Sequence, residues 1–188
     1  GLSVLFPIPK TTTFSRQEYL RAVDDVSLSV FEGEILGVVG ESGSGKSTLA
    51  KNILRLVRPT KGTINLFGSR LSGLNRKQMK QARKKMQVVF QDPYSSLNPR
   101  MTVFEVLAEP LASFFPGMTK KSIEQDVEAA MLEVGLDNGF LGRYPHELSG
   151  GQCQRVAIAR ALMPKPQLLI CDEAVSALDA SIRAEIIE

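Results

Sequence analysis

The sequence is short of cysteine, of long apolar runs, of net charge and of histidine, and each shortage excludes something. Its two cysteines, Cys153 and Cys171, lie in apolar segments with no spaced framework. They predict buried thiols in a reducing compartment rather than a disulfide. The longest apolar runs, such as the one at 168–171, fall far short of the ~20 residues that cross a bilayer. No basic segment followed by an apolar one opens the chain as a secretion signal does. A net charge of +3 is too small to imply nucleic acid by itself, and neither repeats nor low-complexity stretches occur. With 188 residues, 43% hydrophobic and 23% charged, the chain suits one soluble domain, or one domain with a small insertion. It reads as a cytosolic protein.

The patterning that is present alternates strands with helices. Residues 26–34 alternate as a half-buried strand does, after an irregular start interrupted by Pro7 and Pro9. The run 34–40 is almost continuously apolar and ends in glycine, as a central parallel strand does. Leu49, Ile53, Leu54 and Val57 then recur at helical spacing, and 62–68 and 86–92 predict further strands. After Asp92 helical periodicity takes over. Thr102 is a candidate N-cap, and Ile123, Val127, Ala130, Met131 and Val134 share one face. A buried strand returns at 166–174. This order predicts an α/β core with a helical insertion. Six cations and no acid lie between Arg76 and Lys85, which predicts a solvated helix face rather than a lipid or RNA contact.

Residues 40–48, GESGSGKST, fit G-x-x-x-x-G-K-[ST] between an expected strand and an expected helix, the context that motif requires. Gly40, Glu41, Ser42, Gly43, Ser44 and Gly45 form a loop whose glycines let backbone N–H groups point at phosphate oxygens. Lys46 supplies a point charge for the β- and γ-phosphates, the Ser47 hydroxyl suits Mg²⁺, and Thr48 follows in the opening turn of the helix. An acidic partner stands in LLICDE, 168–173. Asp172 is placed to hold Mg²⁺, and Glu173 to polarise an attacking water.

A second anion-directed turn is LSGGQ, 148–152. Ser149 is a good N-cap, and Val156, Ala159 and Leu162 describe a helix beginning near Gly151. One nucleotide needs one P-loop, so a further phosphate-directed turn points to the γ-phosphate held by another chain. The P-loop, Gln91, LSGGQ, LLICDE and SALD (176–179) together resemble the nucleotide-binding domain of an ABC transporter. "FQDPYSSLNPRMTV" and "YPHELSGGQCQR" narrow this to the ATP-binding subunits of oligopeptide, dipeptide and nickel importers.

The resemblance implies a RecA-like P-loop NTPase core with an antiparallel β subdomain and an inserted helical subdomain. Its parts would be 1–92 (core with P-loop and Q-loop), 93–163 (helical subdomain ending in the signature helix) and 164–188 (return to the core). It implies that Ser149, Gly150, Gly151 and Gln152 contact ATP held by a second ATPase subunit in a head-to-tail dimer, a paralogue rather than an identical chain. Gln91 would join the Mg²⁺ and water network, and Asp179 would communicate across the dimer. Phe14 would stack on adenine, with Tyr19 the competing choice and core packing the alternative for either. The partners implied are two membrane permeases and, indirectly, an external solute-binding protein, with no nucleic acid. The location implied is peripheral, on the cytoplasmic side of the inner membrane, and the cofactors are ATP and Mg²⁺.

His146 precedes the signature helix, whereas the family's switch histidine follows the D-loop, so packing or loop hydrogen bonding is expected of it. The chain stops nine residues past Asp179, before that histidine. This 188-residue chain is therefore expected to bind nucleotide weakly and to turn over little or none. Ala174 stands where the family usually has proline. The functions set against transport are a soluble ABC-type ATPase and a non-hydrolysing nucleotide-binding fragment.

Overall fold

Small and branched residues at the start of the chain make a strand, despite Pro7 and Pro9. In the computed structural model, which describes residues 1–10 and 16–172, β1 (Leu2–Pro7) pairs antiparallel with β2 (Tyr19–Val26). Pro7 falls on the last rung, where a missing N–H costs least. Phe14, Glu173 and Asp179 lie outside the described residues. The chain divides into two compact units, Gly1–Met79 and Lys80–Glu188.

In the first unit Leu2, Val4, Val23 and Leu49 form the core, with Val26, Ile53, Val57 and Ile64 packed on it. Leu49 and Ile53 come from α1 (Lys46–Ile53), one turn apart on its inner face. The expected strand at 62–68 contracts to a hairpin of β3 (Asn65–Leu66) and β4 (Ser69–Arg70). Its turn residues Phe67 and Gly68 have φ of +48° and +75°, the signs a type I′ turn demands.

Two expectations fail here. β2 ends at Val26, so 26–34 does not form its strand, and Leu28, Val30 and Phe31 are exposed. Alternation marks a face that can be buried, but it supplies no partner, and the rungs run out at Leu2↔Val26. The run 34–40 carries no ladder among the described residues, with Ile35 84% and Val39 96% exposed. A central parallel strand needs a neighbour on each edge and a cover on each face, and the first unit supplies neither.

Helix α2 (Arg76–Lys85) carries the basic run across the division between units, and none of its residues is buried. In the second unit β5 (Met86–Val89) and β6 (Leu168–Cys171) pair parallel and in register, from Met86↔Leu168 to Val89↔Cys171. Exposure alternates along β6, which leaves Cys171 exposed rather than buried; Cys153 is buried as expected, and both thiols are free.

Between these strands lie α3 (Pro93–Ser96), α4 (Val103–Phe114), α5 (Lys120–Glu133) and α6 (Gly150–Leu162). Thr102 caps α4 in a capping box. Its Oγ1 accepts from the Glu105 N–H at 3.3 Å, and the Glu105 carboxylate accepts from the Thr102 N–H at 2.8 Å. Val127, Ala130 and Met131 of α5 pack with Val103, Val106, Leu107 and Leu111 of α4 and with Cys153, Val156, Ala157 and Ala159 of α6. Ile158 and Ala161, on another side of α6, pack with Val89 of β5. One helix thus joins the helical core to the parallel pair.

Met131 is fully buried, so Met131→Ala should cost about 2–5 kcal/mol of stability. Thr102→Ala, which removes only a cap, should cost about 0.5–2 kcal/mol. Denaturant unfolding of the two variants checks the ranking, and equal losses would contradict the core assignment.

Candidate functional site

The loop before α1 is shaped by two left-handed glycines, Gly43 at φ +80° and Gly45 at φ +96°. Gly45 is the N-cap of α1 and has no alternative. A Cβ built on it would lie 2.0 Å from the Ala22 carbonyl oxygen, so strand β2 and the loop meet too closely for any side chain. The Ser44 N–H donates to the Glu41 carbonyl at 3.2 Å, closing the turn. The Lys46 ammonium reaches back over the loop and donates to the Gly40 and Glu41 carbonyls, each at 2.7 Å. An ammonium has three donors, so a phosphate oxygen can be added without breaking either bond. Gly40, Glu41, Ser42, Gly43 and Ser44 are exposed, while Gly45, Lys46, Ser47 and Thr48 are half-buried at the opening of α1. This is a curled backbone, a cation and a helix N-terminus facing outward, which fits a phosphate chain.

The second unit holds the other expected residues. Gln91 and Asp172 lie just beyond the carboxyl ends of the adjacent parallel strands β5 and β6, and the Asp172 N–H donates to the Val89 carbonyl at 2.9 Å. The carboxyl edge of a parallel sheet is where α/β proteins bind ligands. Among the described residues no group of three or more His, Cys, Asp or Glu side chains converges. The Asp172 carboxylate is a hard oxygen donor of the kind Mg²⁺ takes, an ion usually held by one or two carboxylates together with the phosphates of a nucleotide.

At the signature turn, the Ser149 Oγ accepts from the Gln152 N–H at 3.3 Å, and the Gln152 side-chain carbonyl accepts from the Ser149 N–H at 2.9 Å. This box occupies the third amide of α6. The Gly150 and Gly151 amides, at the first two positions, have no intrahelical acceptor by helix geometry. Neither glycine has a positive φ. A Cβ on Gly150 would make only ordinary contact, 3.8 Å from the Tyr94 ring, and one on Gly151 would meet nothing within 4 Å. Internal packing therefore requires neither glycine, although glycine in a helix costs about 0.5–1 kcal/mol relative to alanine. The bare backbone leaves room for something outside the described residues.

Three residues that sequence reasoning passed over support this turn. Asp92 caps α3, accepting from the Tyr94 and Ser95 N–H groups at 3.0 and 3.3 Å. Tyr94 donates its hydroxyl to the Leu148 carbonyl at 3.0 Å, and Arg160 donates to the Ser96 carbonyl at 2.5 Å. Burial pulls the Arg160 guanidinium below its usual value, with Glu109 opposing. Burial pushes the Cys153 thiol up, and its hydrogen bond with Tyr94 acts in the opposite sense. The signal for the cap was legible: an Asp directly before a Pro at the first helical position. The Tyr94 contact joins residues 54 apart and left no local pattern.

His146 sits exposed in the 3₁₀ turn Pro145–Glu147, its ring stacked on Tyr144 with centroids 5.6 Å apart and planes 13° from parallel. That is the packing role expected of it. Tyr19 is 55% exposed at the start of β2.

The ABC transporter family profile matches residues 23–176. The oligopeptide transport ATP-binding protein OppF of Haemophilus influenzae is 49% identical over 187 residues, covering 100% of this chain and 56% of that protein. OppF of Escherichia coli is 52% identical over 168 residues, covering 89% of this chain and 50% of that protein. The chain spans about half the length of the curated relatives it matches. A dimeric structure of the ATP-binding cassette MJ0796, in a post-hydrolysis state bound to ADP and Pi, superposes at a TM-score of 0.88. It is 30% identical and is matched over 99% of this chain and 77% of that one. A P-loop whose glycine admits no substitute, a glycine-opened signature helix and a profile match spanning both have one reading: this chain belongs to the ABC transporter family.

Proposed function

We propose that this chain is the ATP-binding and ATP-hydrolysing part of an ABC importer subunit for peptides or related small solutes. The observation that carries the proposal is the pair of bare-backbone anion sites, one closed by Lys46 and one opened by Gly150 and Gly151. They occur in a chain about half-identical to oligopeptide transport ATP-binding proteins.

The residues divide the work as their chemistry allows. The 40–48 loop binds the phosphate chain through its amides, and Lys46 adds its remaining donor to a phosphate oxygen. The Ser47 hydroxyl, the Asp172 carboxylate and the Gln91 side chain would be the oxygen ligands offered to Mg²⁺, which would neutralise charge on the phosphates. MgATP supplies the phosphoryl group that passes to water. Glu173 accepts the proton of that water, and Gln91 orients it. Ser149, Gly150, Gly151 and Gln152 cover the γ-phosphate bound by a second ATPase subunit, a paralogue of this chain, and Asp179 communicates across that dimer. Adenine stacks on Phe14 or Tyr19.

Residues 93–163 form the helical subdomain that meets two membrane permeases, which an external binding protein loads. The core is then 1–92 with 164–188. No helix among the described residues is long and apolar enough to cross a membrane. Its likeness to oligopeptide transport ATP-binding proteins supports a peripheral place on the cytoplasmic face of the inner membrane.

The full-length protein, reconstituted in vesicles with its permeases and binding protein, should import peptide only when ATP is supplied. ATP turnover that ignores the permeases and responds to ribosomes or DNA would overturn the transport reading. Glu173→Gln should lower turnover by about 10²–10⁴-fold while nucleotide binding persists. Lys46→Ala should instead weaken ATP binding by about 10- to 150-fold, the loss of one charge-assisted bond to phosphate. Equilibrium binding of a fluorescent ATP analogue separates the two, and a Glu173→Gln variant with normal turnover would remove the general base from the mechanism.

A further inference from the structure

We propose that Tyr94 is a positioning residue that makes the segment following Gln91 and the signature turn move as one body. The proposal rests on the function proposed above and extends it to a residue that touches neither nucleotide nor metal in that reading.

Three observations place Tyr94 in this role. First, it stands three residues after Gln91, in a four-residue helix whose start is fixed by the Asp92 cap. Second, its hydroxyl donates to the carbonyl of Leu148, the residue immediately before the Ser149 cap. Its ring also flanks Gly150, with Cε2 3.8 Å from where a Cβ there would stand. Third, α3 is strapped to α6 again at its far end, where Arg160 donates to the Ser96 carbonyl. Tyr94 and Ser96 thus bind one short helix to the residue before the Ser149 cap and to Arg160 in the last turn of α6.

The two straps differ in what surrounds them. Arg160 is half-buried, and its bond to the Ser96 carbonyl is partly shielded from solvent. Tyr94 is 48% exposed, which is more than core packing requires of a tyrosine. What the ring and hydroxyl fix is the backbone on either side of Ser149. A tilt of that turn redirects the Gly150 and Gly151 amides, which are the donors offered to a phosphate. Because Tyr94 follows the strand end that carries Gln91, a shift there reaches the signature turn directly through this side chain. Two alternative rotamers of one tyrosine would uncouple the two sites, whereas the hydrogen bond to Leu148 selects one.

The test is Tyr94→Phe in the full-length ATPase assembled with its permeases. The substitution removes the hydroxyl and keeps the ring, so the denaturation midpoint should stay close to wild type. Turnover should fall about three- to tenfold, the worth of one lost hydrogen bond, with KM for ATP moving less than about twofold. The double variant with Gln91→Ala should be no slower than Gln91→Ala alone, because the hydroxyl acts through that segment. Amide hydrogen exchange on the same protein reads the link without turnover: the amides of Gln152 and Cys153 should exchange about three- to tenfold faster, and those of α5 should not change. Losses that multiply in the double variant, or unchanged exchange at Gln152 and Cys153, overturn the proposal. If Tyr94→Phe speeds exchange at Gln152 and Cys153 while the wild-type assembly shows no transport-coupled turnover, the link stands and the function assigned to it falls.

Discussion

Helix α6 is the constraint on which the second unit depends, because it is buried on more than one side. Cys153, Val156, Ala157 and Ala159 belong to the helical core, while Ile158 and Ala161 press on Val89 of β5. Most of these are small, and alanine or cysteine at the contact lets neighbouring elements approach closely. Removing α6 would leave α4 and α5 packed only on each other and β5 without its cover. A helix held this way cannot pivot without disturbing two cores, so its first turn inherits their rigidity. The signature glycines therefore sit on a stiff mount, and the flexibility that two glycines would otherwise confer is confined to one turn.

The first unit shows the opposite economy, with precision coming from a single close approach. The Ala22 carbonyl lies where a side chain at residue 45 would be, so the strand and the loop fix each other's position through an absence. Gly45 at φ +96° then aims the first turn of α1, and Leu49 locks that helix into the β1–β2 core. Lys46 bridges the Gly40 and Glu41 carbonyls, satisfying loop acceptors that would otherwise face one another. A loop preset in this manner loses less conformational entropy when a phosphate binds, because the backbone already has its bound-like curl.

Much of this was legible before any coordinates. The P-loop and the signature turn carry their own local chemistry: positive-φ glycines, a capping serine and a helix start are written in adjacent residues. Thr102 and Ser149 were readable as caps for the same reason, and the apolar face of α5 followed from spacing alone. What failed was pairing. Residues 34–40 have the composition of a central strand yet no ladder among the described residues, and 26–34 alternates without a partner. A strand is defined by its neighbour, which may lie anywhere in the chain, whereas a helix closes its own hydrogen bonds. The two prolines mark the start of the chain as irregular, yet GLSVLFPI also reads as the tail end of a first strand; β1 is such a strand, with Pro7 on a terminal rung where its missing donor is harmless. Tyr94 escaped notice because its contact spans 54 residues and no periodicity encodes it.

The two anion-directed turns differ in a way that bears on how they must act. The P-loop lysine lies across its own loop, so cation and curled backbone come from one stretch of one chain. The signature turn is incomplete. Its capping box uses the Gln152 amide, its first two amides face outward, and no side chain of the described residues fills the space above Gly151. A helix N-terminus with no cation of its own attracts an anion weakly, through partial charges that fall off within a turn. In the function proposed above, another surface delivers the phosphate already bound and partly neutralised by its own lysine and metal. Complementarity of that kind needs two chains facing each other with opposite halves exposed, and it makes nucleotide binding and subunit association a single equilibrium. Closure of that kind would do work only if the weak half were held rigidly, and the bare glycines stand at the head of α6, which buries more of its residues than any other described helix of the second unit.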